Sequence, residues 1–259
     1  MNQLGQLFAK KSKNILSIYF TAGYPELEDT TKIITSLIQN GADLIEIGMP
    51  YSDPLADGAV IQESGTKALE NGMTIEKLFD QLKNFKNDYQ SNCPLILMGY
   101  LNPVLQYGFE QFCKQAHDCG ISGIILPDLP VQEYEKEFKE IIEKYALNFI
   151  FLVTPQTSES RIRKIDSLSN GFIYAVSSSS VTGSNVDFIQ QEKYFQKLQA
   201  MDLKNKVLIG FGIRDRKSFE EACRYSAGAI IGSAFIKSLD QEKDLDNSVK
   251  DFLNSILQS

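Results

Sequence analysis

Short runs of apolar, often β-branched residues recur along the chain. They fall at Ile15–Phe20, Asp43–Gly48, Pro94–Gly99, Ile121–Leu126, Leu147–Val153, Gly171–Val176, Lys206–Phe211 and Ala227–Ile231. Each is close to continuously apolar rather than alternating, the pattern of strands covered on both faces. Amphipathic stretches with helical period lie between them. The clearest runs from Pro25 to Asn40, with proline in its first turn, Glu26, Glu28 and Asp29 beside it, and Gly41 closing it. Further helices are expected near 74–88, 108–119, 131–145, 158–168, 187–201, 215–225 and 240–257, with an extra one at the N-terminus.

Eight strands alternating with eight helices, with no Pro/Ser-rich linker between them, predict one domain over residues 1–259. A closed parallel (βα)8 barrel, a TIM barrel, fits this best. An open doubly wound sheet usually has fewer strands and a glycine fingerprint after the first, which is absent after Phe20. Strand starts lie 21 to 28 residues apart except after strands 2 and 6, where the intervals are 51 and 35. Long βα connections in a barrel commonly carry the active site, so loops 2 (Met49–Gly58) and 6 (Ser177–Asn185) are where it is expected.

Composition narrows the chemistry. The 26 Lys+Arg against 33 Asp+Glu give a net charge of −7, which argues against a nucleic-acid partner. No apolar run approaches the ~20 residues of a membrane span, and the first residues lack the order of a signal peptide. With Cys93, Cys113, Cys119 and Cys223 scattered and no CxxC pair, a cytoplasmic protein with reduced thiols is expected. The single histidine, His117, sits in a helical stretch without ligand spacing around it, so no metal site is expected.

Alternation along Asp43–Gly48 puts Ile45 and Ile47 on one face and Leu44, Glu46 and Gly48 on the other. The isoleucines suit the helix-facing side, which turns Glu46 into the barrel. A carboxyl group there, with no Lys or Arg in any strand except Lys206 at a strand start, is raised in pKa by desolvation and can exchange a proton near neutrality. Asp53 and Asp57 in loop 2, both in good turn sequences, and Asp128 in Pro127-Asp-Leu-Pro130, which could simply hold a loop in place, are further acids at that face. Gly210-Phe-Gly212, Gly232-Ser233 at a helix start, and Thr182-Gly183 in loop 6 could offer backbone N–H groups to a phosphate. Read otherwise, they are tight turns. Tyr19, Leu97 and Tyr174 near strand ends could wall an apolar pocket or simply fill the core. No strand-end lysine is placed for Schiff-base chemistry.

Several segments together resemble the tryptophan synthase alpha chain family over the whole length: Tyr19-Phe-Thr-Ala-Gly-Tyr-Pro25, Leu44-Ile-Glu-Ile-Gly-Met-Pro-Tyr-Ser-Asp-Pro-Leu-Ala-Asp-Gly58, Pro127-Asp-Leu-Pro130, Val181-Thr-Gly183, Gly210-Phe-Gly-Ile213 and Gly232-Ser-Ala234. The resemblance implies cofactor-free retro-aldol cleavage of indole-3-glycerol phosphate to indole and glyceraldehyde 3-phosphate. It also implies an α2β2 heterotetramer with the pyridoxal-phosphate-dependent beta chain, which takes the indole. By the same resemblance Glu46 and Asp57 are catalytic. Thr182, Gly183, Gly212, Gly232 and Ser233 would hold the phosphate, and Tyr19, Leu97 and Tyr174 would contact the indole. One departure is Ser180, where the family commonly has glycine before Val-Thr-Gly. Two other readings remain: an isomerase or synthase of a related phosphorylated intermediate, and a catalytically silent subunit that activates a partner.

Overall fold

The computed structural model describes residues 3–55, 57–88, 91–177, 185–210, 212–239 and 244–258, and for residues 88 and 185–190 the backbone only. The apolar runs form parallel strands: β1 (Ile15–Thr21), β2 (Leu44–Gly48), β3 (Leu95–Met98), β4 (Gly123–Ile125), β5 (Asn148–Phe149), β6 (Phe151–Val153), β7 (Phe172–Val176), β8 (Lys206–Gly210) and β9 (Gly228–Ile231). They hydrogen-bond in the order β5-β4-β3-β2-β1-β9-β8-β7-β6. The two ends of that row are consecutive in the chain. β5 pairs with β4, the N–H of Ile150 donates to Ile124 O at 3.0 Å, and β6 then pairs with β7. The fifth predicted strand therefore closes the barrel with its two halves, because the stagger of a tilted barrel slides each strand along its neighbours.

Two apolar layers follow from the alternation. Ile15, Tyr19, Leu44, Ile96, Ile125, Ile150, Phe172, Tyr174, Leu208 and Ile230 fill the interior. Ile45, Ile47, Leu97, Ile124, Phe149 and Ile173 belong to the outer layer, packed with the surrounding helices. The N-terminal helix Gln3–Lys10 seals the bottom: Leu4 is fully buried in the interior cluster and Phe8 lies 6.2 Å from Phe172.

Two expectations about helices are corrected. The helix expected from Pro25 starts at Asp29. Asn71 Nδ2 bonds the carbonyls of Gly23 and Pro25, and Gln81 Nε2 bonds that of Leu27, so the segment ahead of Asp29 is a pinned turn. Gly41, at φ +99°, does end that helix. A single helix, 74–88, was expected in the long interval after β2, but its irregular part, up to Gly58, first leads into another helix at Ala59–Glu70. That helix has a glycine at its middle and a weak apolar stripe, and it is anchored by Ser64 Oγ, 2.7 Å from Thr21 Oγ1 at the end of β1.

Candidate active site

Glu46 lies at the centre of β2, in register with Tyr19 on β1 and Ile96 on β3, and is fully buried. Ser17 Oγ donates to its Oε1 at 2.8 Å, whereas Oε2 is buried without a hydrogen-bond partner among the described residues. No ion pair among the described residues includes it. Burial pushes its pKa up to about 8, with the Ser17 hydrogen bond pulling the other way. The carboxyl is therefore largely neutral at pH 7, and its proton can leave and return.

Two tyrosines line the space above it by one shared device. Tyr19 is in register with Glu46, and its phenol leans over Gly48, two residues further along β2. Tyr174 is in register with Leu208, and its phenol leans over Gly210, two residues further along β8. A Cβ on either glycine would collide with the phenol beside it, so glycine is required by close approach. Burial raises both phenols' pKa values. Gly232 closes the third side: a Cβ there would stand 3.3 Å from the Tyr19 ring.

Asp57 is half-buried at the mouth, and Tyr100 donates its hydroxyl to Asp57 Oδ2 at 3.0 Å. Its carboxyl is held above the usual range by desolvation, opposed by the Tyr100 hydrogen bond. Its charge reaches both Tyr19 and Tyr174. The surrounding loop is tied to the start of the helix Leu101–Tyr107: the Tyr51 and Tyr100 rings lie 5.3 Å apart, and Asn102 Nδ2 donates to Tyr51 Oη at 3.3 Å. Asp128 accepts from Leu101 N with both oxygens at 3.0 Å, which sets that helix. Asp53 is exposed and accepts from Ser52 Oγ. His117 is an exposed helical residue.

One expected contact is corrected. Leu97 is buried in the outer layer, against the helices, so it does not reach the interior. β3 turns Ile96 and Met98 inward instead, and Met98 packs against the interior cluster in register with Gly48. Among the expected phosphate donors, Gly212 has φ +74° and lies exposed beyond β8, while Gly232 precedes the helix Ser233–Ser238, where Ser233 is exposed. Ile236 N donates to Gly232 O, just ahead of that helix, and the geometry of a helix start leaves the earlier N–H groups of the turn without intrahelical acceptors. Thr182, Gly183 and the departure at Ser180 lie outside the described residues.

Ser17 and Tyr100 were not singled out from the sequence. Alternation could have found Ser17, since it is two residues before the inward Tyr19. Tyr100 follows directly from the end of β3, but only the fold of loop 2 brings Asp57 to it.

These features define a class: a parallel (βα)8 barrel whose interior holds a buried carboxyl group, flanked by tyrosines and unpaired with any cation among the described residues. The family model described as "Tryptophan synthase alpha chain" matches residues 6–258. A tryptophan synthase alpha chain from Flavobacterium psychrophilum is 57% identical over 242 residues, 93% of this chain and 94% of that protein. One from Flavobacterium johnsoniae is 54% identical over 257 residues, 99% of this chain and all of that one. The crystal structure of the alpha subunit from Legionella pneumophila superposes with a TM-score of 0.90 at 32% identity, covering 99% of this chain and 97% of that one. The chain belongs to the tryptophan synthase alpha chain family. It is an enzyme of L-tryptophan biosynthesis, a carbon–carbon lyase that cleaves indole-3-glycerol phosphate to indole and glyceraldehyde 3-phosphate. Among the described residues no helix is long and apolar enough to cross a membrane.

Proposed function

We propose that Glu46 and Asp57 divide the retro-aldol cleavage between them. Neutral Glu46 gives its proton to indole C3. The bond from C3 to the glycerol carbon then breaks, its electron pair restoring the aromatic ring, as the hydroxyl on that carbon becomes the aldehyde. The hydroxyl proton returns to the Glu46 carboxylate, so the acid is regenerated within one turnover. Asp57 accepts a hydrogen bond from the indole N–H and stabilises the positive charge on the protonated ring. Tyr19, Tyr174 and Met98 wall the indole. Gly212, Gly232 and Ser233, with Thr182 and Gly183, hold the phosphate through N–H and hydroxyl donors. The scheme uses no cofactor and no metal ion.

The observation that carries this reading is the complete burial of Glu46 with no cation paired to it among the described residues, which makes it a neutral acid at working pH. The same reading places the chain in the cytoplasm, in an α2β2 heterotetramer with the beta chain that consumes the indole. Leu55 supports a partner there: in the loop that carries Asp57, its apolar side chain is 86% exposed, and Leu105 on the neighbouring helix is exposed too.

The test is indole release from indole-3-glycerol phosphate, with and without a beta chain. Glu46→Gln keeps the shape but has no acidic proton, and its turnover is expected to fall at least ~10²-fold. Turnover close to wild type would overturn the assignment. Wild-type protein silent in both conditions would favour a subunit that only activates its partner.

A further inference from the structure

The interior layer of the barrel is apolar on almost every strand, and Ser17 is a hydroxyl placed within it. A buried hydroxyl needs a partner, and the one it has is Glu46 Oε1, at 2.8 Å across the β1–β2 pair. The second carboxyl oxygen, Oε2, is equally buried and has no hydrogen-bond partner among the described residues. Tyr19 on β1 and Tyr174 on β7 are the titratable groups whose charge couples to Glu46, and both are phenols kept neutral by burial. Asp57 acts on the same two phenols from the mouth. Nothing charged competes with Ser17 for Oε1 among the described residues.

We propose that Ser17 is a positioning residue for the reaction: by holding Oε1 it assigns the acidic proton of Glu46 to Oε2, and so fixes which oxygen exchanges a proton with the substrate. This rests on the assignment of Glu46 above. A neutral carboxyl group has one carbonyl oxygen, a good acceptor, and one hydroxyl oxygen, a poor one. A donor aimed at Oε1 makes it the carbonyl oxygen and leaves the hydroxyl on Oε2. One hydrogen bond biases such a choice roughly fivefold to tenfold. It also holds the side-chain torsion, so Oε2 keeps one position as the proton leaves and returns. When the carboxylate forms, Ser17 still donates to Oε1 and stabilises the charge.

The experiment compares wild type, Ser17→Ala and Ser17→Thr. In Ser17→Ala, kcat is expected to fall about tenfold with KM within about twofold, since the substrate does not bind through Ser17. The alkaline limb of kcat/KM is expected to move up by as much as about one pH unit, because a bond favouring the charged form is lost. Ser17→Thr, which keeps the hydroxyl, is expected to restore both. A readout that needs no turnover is the carboxylic C=O infrared band of Glu46, assigned by its loss in Glu46→Gln. In Ser17→Ala that band should rise in frequency and its titration midpoint should move to higher pH. A folded Ser17→Ala protein with band, midpoint and kcat all unchanged would overturn the proposal. If the alanine variant does not fold, Ser17→Cys, of similar size and with a weaker donor, carries the same comparison. Wild-type protein that released no indole would defeat the lyase reading and the catalytic half of this one, whereas the infrared arm tests the contact by itself.

Discussion

Two acids three residues apart on the same segment have opposite fates. Asp43, just before β2 at the bottom of the barrel, accepts from Lys11 Nζ at 2.6 Å and from Leu16 N at 2.8 Å. It ties the segment after the N-terminal helix to the start of two strands. Glu46, halfway along the strand, has a single serine hydroxyl on one oxygen and, among the described residues, nothing on the other. The first acid is satisfied by charge and hydrogen bonds and serves the fold. The second is desolvated without compensation, and its folded pKa of about 8 records that cost. A barrel concentrates such a cost where strands converge and water is excluded, which is also where a proton is most useful.

The sharpest way to break this comparison is to neutralise each acid in turn. For Glu46 the folded value lies above the unfolded one, 4.5, so its contribution is fully present below about pH 4.5 and is lost as pH rises towards 8. Between those values wild-type unfolding free energy should fall by up to about 1.4 kcal/mol per pH unit from this group alone. Glu46→Gln should remove that slope and be more stable than wild type at pH 8–9 by a few kcal/mol, although its turnover is expected to be lower by at least ~10²-fold. Urea unfolding at several pH values measures both, and a variant less stable than wild type at pH 9 would contradict the buried-acid account.

Asp57, intermediate in burial, should show the functional loss without the stability gain. Asp57→Asn is expected to cost about 10²-fold in indole formation and to change stability by less than about 1 kcal/mol. Tyr100→Phe, which removes the hydroxyl that donates to Asp57 Oδ2, should cost less, about threefold to tenfold in kcat. The smallest functional effect belongs to Asp43→Asn. Stability should drop by about 1–2 kcal/mol through the loss of a charged acceptor, with indole formation within about twofold of wild type. An Asp43→Asn enzyme as inactive as Glu46→Gln would erase the distinction between the two acids.

The inward direction of Glu46 was legible because β2 alternates cleanly: two isoleucines claim the helix side and leave the glutamate no other face. β3 offers no such contrast, and Leu97 was expected on the wrong face. In a run of Leu95-Ile-Leu-Met98 every residue is apolar, so composition does not reveal the face, and only pairing with β2 shows that Ile96 and Met98 point inward. Loop 2 was recognised by its length, yet a whole helix, Ala59–Glu70, lay hidden in that interval because its apolar stripe is weak. Pro25 misled for a related reason: a helix-start signal is local, whereas the turn that displaces it is pinned by Asn71 and Gln81 from later in the chain.

Local periodicity thus determined the strands, their burial on both faces, the barrel class and the acid at its centre, because these depend on the chemistry of neighbouring residues in one segment. Which groups meet across strands was decided by the tertiary structure alone. Tyr19 over Gly48, Tyr174 over Gly210, Tyr100 on Asp57 and Ser17 on Glu46 each join residues 29 to 43 positions apart. Their contact depends on the register and stagger of the closed sheet, a property of all the strands together that no single stretch of sequence contains.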